Sequence, residues 1–203
     1  MTTESNRTRE TRERYQFVPC VVVLSGLPAT GKSTFGRFLD KVSNFNFLDV
    51  DVVREEIDEV RKANPRVRWL PPDQELAIMI RSYTLMCQRT EALARDGAPV
   101  VIAGTFSRSE FKEPLRVLKD SLDQKGLPMR VFQLTAPGDE IERRISKQKG
   151  VRGAANVDSV DTLRRVQSIF SPIKFTEVIE MNTKTQGHYL KILEHINDLR
   201  ISL

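Results

Sequence analysis

Between residues 26 and 34 the chain reads GLPATGKST, a loop bounded by Gly26 and Gly31 that ends on Lys32, Ser33 and Thr34. The spacing is G-x-x-x-x-G-K-[ST], and the chemistry it serves is polyphosphate binding. Glycines let successive backbone N–H groups curl around an anion, a following helix adds its positive end, and Lys32 is a point cation for the β and γ phosphates. Ser33 can give its hydroxyl to Mg²⁺. Leu27, Pro28, Ala29, Thr30 and Thr34 complete the expected nucleotide-binding set. A tight turn that happens to contain a lysine is the plain alternative. Both flanks speak against it, since a strand-like apolar run precedes the loop and a helical pattern follows it. The loop is expected to hold ATP or GTP.

A second constellation lies in FLDVDVVREEI, which carries Asp49, Asp51 and Arg54. A carboxylate just beyond the C-terminal edge of a parallel strand sits where open α/β sheets place ligands. From there Asp51 could take the proton of an acceptor hydroxyl, with Arg54 one helical turn on and facing the same side. The bland reading makes Asp51 a helix cap and pairs Arg54 with Asp51 or Asp58 on a solvated face. Asp49 either helps hold the metal or ends the strand.

Cations crowd the segment from Arg143 through Arg144, Lys147 and Lys149 to Arg152. Some of them suit a helix C-terminus, but five so close together exceed that need. A basic segment closing over a triphosphate would stabilise transition-state charge and exclude water, and Arg144 and Arg152 are the candidates to do so. On the acceptor side, Arg66, Arg68 and Trp69 share a proline-bounded loop. Trp69 either stacks on a base or anchors the loop by packing. Phe106 and Arg108 follow the third strand and are placed with Thr105 at the same pocket.

The elements that must position these residues follow from periodicity. Apolar runs at 20–25, 45–49, 99–103, 129–134 and 174–181 read as strands. They alternate with helical patterns at 32–41, 51–62, 73–96, 108–124, 138–148, 158–169 and 187–200. Such alternation predicts βαβ units and a parallel sheet covered on both faces, an α/β fold. Residues 1–17 read as a flexible polar tail and 18–203 as one domain, with a lid at about 143–165.

Bulk properties narrow the function further. The longest apolar runs fall far short of the roughly 20 residues a bilayer span requires, so no membrane is expected. Residues 1–17 have no apolar core or cleavage site of a secretory signal, and Cys20 and Cys87 sit in apolar patterns as buried thiols do, so a cytoplasmic location is expected. Two histidines without a cysteine cluster make zinc an improbable cofactor. A net charge of +5 suits a protein that handles phosphates.

GLPATGKST, DVDVVREEI, GAPVVIAGTFSR and the cationic segment DEIERRISKQKGVRGAANVDSVDTLRRVQSIFSPI together resemble the P-loop kinases of the predicted-kinase and polynucleotide-kinase type, with zeta-toxin-like and small-molecule kinases nearby. The resemblance implies a three-layer αβα P-loop NTPase fold, a five-stranded parallel sheet in the order 2-3-1-4-5, and a helical lid. It implies Asp51 as general base, Arg54 as a contact to an acceptor phosphate, Arg144 on the nucleotide phosphates, and the loop at 181–187 bordering the purine. ATP and Mg²⁺ would be the cofactors and ADP the product. One departure stands out: such kinases usually end the third strand with an aspartate, where this chain has Ala103. That leaves Ser33 and Asp49 to carry the metal.

The expectation is an ATP-dependent kinase acting on a hydroxyl acceptor, with a nucleic-acid 5′-hydroxyl, single-stranded or terminal, or a nucleotide-like acceptor placed first. A small-molecule kinase for a metabolite, nucleoside or antibiotic is the alternative. A nucleotide-dependent binding module with incidental hydrolysis is the alternative from another class.

Overall fold

The computed structural model describes residues 15–63, 70–148, 160–184 and 187–200. In these, strands β1 (Val21–Ser25), β2 (Asn46–Asp49), β3 (Val100–Ala103), β4 (Met129–Thr135) and β5 (Ile179–Asn182) form one sheet in the order β2-β3-β1-β4-β5. All four neighbouring pairs are parallel. The fold is the expected αβα arrangement with the expected strand order. Between the strands run α1 (Lys32–Val42), α2 (Val50–Ile57), α3 (Glu59–Ala63), α4 (Pro72–Arg95), α5 (Ser109–Gln124), α6 (Gly138–Gln148), α7 (Val160–Ile169) and α8 (His188–His195).

The run VVVLS of β1 is buried throughout, as a central strand covered on both faces must be. Its side chains alternate between two cores. Val21 and Val23 join Val100, Ile102 and Val131 under α2, α4 and α5, where Val53, Tyr83, Met86 and Leu115 pack. Val22 and Leu24 join Val101, Phe132 and Leu134 under α1 and α8, where Phe35, Leu39 and Ile192 pack. Burial of this apolar area, at about 25 cal/mol per Å², is the main stabilising term.

Register decides where the strands end. Leu24 pairs with Ala103 and Asp49 with Ala103, while Ser25 pairs with Gln133. The C-terminal ends of β2, β3 and β1 therefore lie level, and the loops that leave them meet along one edge. That edge is where an open parallel sheet binds ligands.

Three expectations need correction. The fifth strand, expected over 174–181, is confined to Ile179–Asn182. Ile173, Phe175 and Val178 are apolar because they pack against the first core from an irregular segment. The helix expected over 51–62 breaks at Asp58, whose carboxylate accepts the Arg61 amide at 2.9 Å and restarts the chain as α3. The tail expected over 1–17 lies outside the described residues as far as 14. Its last residue is docked: Phe17 is buried against Phe45, and its amide donates to the Asn44 side chain.

Candidate active site

The loop from Gly26 to Thr34 leaves the centre of the sheet and opens α1. Gly26 has φ of +137°, and a Cβ there would lie 2.2 Å from the carbonyl oxygen of Leu134, so only glycine fits. Ala29 adopts φ of +60° within the same turn. Thr30 donates its hydroxyl to the Leu27 carbonyl at 2.8 Å. Lys32 is buried, and its ammonium donates to the carbonyls of Gly26 at 2.9 Å and Leu27 at 2.7 Å. Burial lowers its pKa to about 8, with Asp51 and then Asp49 pulling the other way. Ser33 stands beside it in the first turn of α1.

Asp51 and Arg54 meet the loop from β2. Asp49, at the end of that strand, is the N-cap of α2 and accepts the Asp51 amide at 3.0 Å. Asp49 rather than Asp51 thus caps the helix. Arg54 lies 3.3 Å from the Asp51 carboxylate and is itself only 10 % exposed, with Met79 Sδ at 3.7 Å on its other side. This is no solvated surface pair. The Asp51 side chain remains 38 % exposed. Partial burial raises its pKa, against the pull of Arg54. A carboxylate with an opening to solvent and a raised proton affinity has the chemistry a general base can use.

Asp51 and Lys32 each shift the other's titration, so the carboxylate and the ammonium share one electrostatic environment. Asp49 is level with Ala103 in the sheet. A carboxylate therefore stands one strand away from the position where β3 has none.

Thr105, two residues beyond β3, is held by a residue that sequence reasoning missed. Tyr83 on α4 is fully buried, accepts the amides of Thr105 and Phe106 at 3.1 Å each, and lies 3.1 Å from the Thr105 hydroxyl. Burial pushes its phenol up to about 12. Phe106 is buried with φ of +48°. Arg108 follows, at the start of α5. In the sequence Tyr83 is one apolar position in a long helical pattern, and nothing there marks its hydroxyl.

Arg144, on α6, reaches the phosphate loop from the opposite side. Its guanidinium donates to Glu140 at 2.7 Å, to the Ala29 carbonyl at 3.1 Å, and to the Thr183 hydroxyl and carbonyl at 3.0 Å each. Arg144 is therefore engaged with protein groups while touching the loop; the resemblance implied a contact from it to the nucleotide phosphates. Glu140 and Thr183 are the partners sequence reasoning missed. Arg143 pairs with the same Glu140 at 2.7 Å and is more than half exposed. Trp69 and Arg152, expected on the acceptor and nucleotide sides, lie outside the described residues, as do Arg66, Arg68, Lys149 and the lid between 149 and 159.

Among the described residues no helix is long and apolar enough to cross a membrane. Nor is any group of three or more His, Cys, Asp or Glu placed to hold a metal ion. Mg²⁺ normally keeps one or two carboxylates and takes the rest of its shell from substrate phosphates and water. A hydroxyl such as that of Ser33 and a carboxylate such as that of Asp49 have the donor chemistry such an ion takes.

The family model described as AAA domain matches residues 21–172. No curated protein sequence matches the chain. Among solved structures, an unliganded sugar kinase from Janibacter sp. superposes with a TM-score of 0.62 at 15 % identity, covering 88 % of this chain and 94 % of that one. An APS kinase of Mycobacterium tuberculosis, in complex with AMPPNP and APS, gives 0.59 at 17 % identity over 89 % and 96 %. A gluconokinase from Sinorhizobium meliloti gives 0.55 at 13 % identity over 89 % and 97 %. Identity this low speaks for the fold, and the family match, which spans most of the chain, speaks for descent. The chain belongs to the AAA domain family and has the fold of the P-loop kinases.

Proposed function

We propose that the protein is an ATP-dependent kinase that transfers the γ-phosphoryl group to a hydroxyl of a small-molecule acceptor. The observation that carries this reading is the half-open Asp51 carboxylate, in contact with Arg54 and electrostatically coupled to Lys32 of the phosphate loop. Phosphoryl transfer asks mostly for positioning and charge stabilisation, and these three side chains supply both. The acceptor hydroxyl gives its proton to Asp51 as its oxygen bonds to the γ-phosphorus. The bond from that phosphorus to the β,γ-bridging oxygen breaks, and ADP leaves with the electron pair. Lys32 leaves its two carbonyl partners for the phosphates, which are stronger acceptors. Mg²⁺, when bound through Ser33 and near Asp49, would neutralise charge on the β and γ oxygens. Arg144 anchors the loop through Ala29 and serves the nucleotide from there.

The choice of acceptor shifts from nucleic acid to small molecule. The neighbours' titles name a sugar kinase, a gluconokinase and an APS kinase. Much of the described charge that pointed to a nucleic-acid strand is locally spent: Arg143 and Arg144 on Glu140, and Arg164 near Asp161. ADP release should be measured across sugars, sugar acids, nucleosides and 5′-hydroxyl oligonucleotides. This reading expects small molecules to stimulate release and the rate to respond little to salt. Stimulation by oligonucleotides alone, weakening steeply as salt rises, would restore the nucleic-acid acceptor. No stimulation by any acceptor would contradict the transferase.

A further inference from the structure

Thr183 is the first residue beyond β5, and it is buried. Its amide and its hydroxyl both donate to the Thr135 carbonyl at the end of β4, at 2.8 and 3.1 Å. A threonine hydroxyl has one proton. With that proton committed to Thr135, the oxygen meets Arg144 through a lone pair, and it accepts from the guanidinium at 3.0 Å. The Thr183 carbonyl accepts from the same fork at 3.0 Å. Two of the four bonds that Arg144 makes therefore end on Thr183, and the other two go to Glu140 and to the Ala29 carbonyl.

The path closes on the phosphate loop from two directions. The end of β4 supports the loop directly, because the Leu134 carbonyl oxygen lies where a Cβ on Gly26 would come within 2.2 Å of it. The next residue, Thr135, holds Thr183; Thr183 holds Arg144; and Arg144 bonds back to Ala29 in the same loop. Ala29 has φ of +60°, a conformation that side chains seldom adopt and that persists where surrounding contacts fix it. Glu140 cannot supply this link. It sits on the same helix as Arg144 and also serves Arg143, so it ties the guanidinium to α6 and not to the sheet.

We infer that Thr183 is a positioning residue for nucleotide binding: its oriented hydroxyl sets the Arg144 fork against Ala29 and keeps the phosphate loop in shape to receive ATP. The consequence for turnover rests on the kinase reading. The consequence for the loop does not.

Thr183→Val keeps the size of the side chain and the amide bond to Thr135 while removing the hydroxyl, and Thr183→Ser restores the hydroxyl. In the nucleotide-free protein, amide resonances of Gly26–Thr34 should move in the valine variant and stay near wild type in the serine variant. ATP affinity read by calorimetry should fall by about tenfold with valine and recover with serine, since a hydrogen bond to a charged group is lost. In turnover the KM for ATP should rise while kcat and the acceptor KM stay near wild type. In an Arg144→Ala background Thr183→Val should cost less than about twofold more, because residues that act through one contact do not add. Loop resonances and ATP affinity unchanged in the valine variant overturn the inference. So does a serine variant as impaired as valine, or a full penalty without Arg144. Turnover of no acceptor would contradict the kinase reading, and the resonances and calorimetry still decide the role of Thr183.

Discussion

The phenolic oxygen of Tyr83 accepts the backbone amide of Thr105 at 3.1 Å and lies at the same distance from that residue's hydroxyl. One buried atom thus fixes a loop whose next residue, Phe106, is held in the left-handed region that side chains disfavour. Gly104 fits beneath the ring because a Cβ there would come within 2.8 Å of it. Tyr83→Phe keeps the ring and strands the amides of Thr105 and Phe106. We expect a loss of about 2–4 kcal/mol in urea unfolding and a raised acceptor KM with the ATP KM little changed. Wild-type stability in the variant would show that the loop is held by other contacts.

Lys32 gives a pH signature. Its pKa in the free protein is depressed to about 8, below the ordinary lysine value of 10.5, because burial disfavours the charge. An anion in the loop favours the charged form and raises it again. ATP binding should therefore take up a proton from about pH 8 upward, and affinity should fall as pH climbs from 7.5 to 9.5, approaching tenfold per unit. Calorimetry in two buffers of different ionisation enthalpy reads the uptake directly. Proton release on binding would contradict this assignment.

Arg144 holds four acceptors with one planar fork: Glu140, the Ala29 carbonyl, and both oxygens of Thr183. An ammonium cannot span that set. Arg144→Lys should raise the KM for ATP by about tenfold or more while leaving acceptor KM near wild type. Equal loss on both substrates would place the arginine at the reacting phosphate rather than behind the loop.

Much of this was legible in the chain, for physical reasons. Glycine spacing and a lysine at a strand-to-helix turn leave few other folds, so Gly26 through Ser33 could be read directly. The sheet followed because each strand is an apolar run between breakers. Asp51 was legible as the carboxylate after the second strand, yet the reading of it as a helix cap was set aside only by the bond from its own amide to Asp49. Tyr83 and Thr183 were not legible: Tyr83 acts through its hydroxyl and Thr183 through its hydroxyl and carbonyl, brought to their partners by tertiary packing 22 and 39 residues away in sequence. Arg144 was found by charge, but its engagement with Ala29 spans 115 residues that no local pattern encodes. The β5 boundary was misread because Phe175 and Val178 are apolar for packing against a helix layer, which looks the same in sequence as pairing in a sheet.

In the proposed reaction Asp51 takes the proton from the acceptor as the γ-phosphoryl group moves. Asp51→Asn preserves size and removes the base, so single-turnover ADP formation with saturating acceptor is the direct measurement, beside ATP affinity measured by calorimetry. The transfer rate should fall by about 10²- to 10⁴-fold with ATP affinity retained. Transfer at the wild-type rate in Asp51→Asn would contradict it.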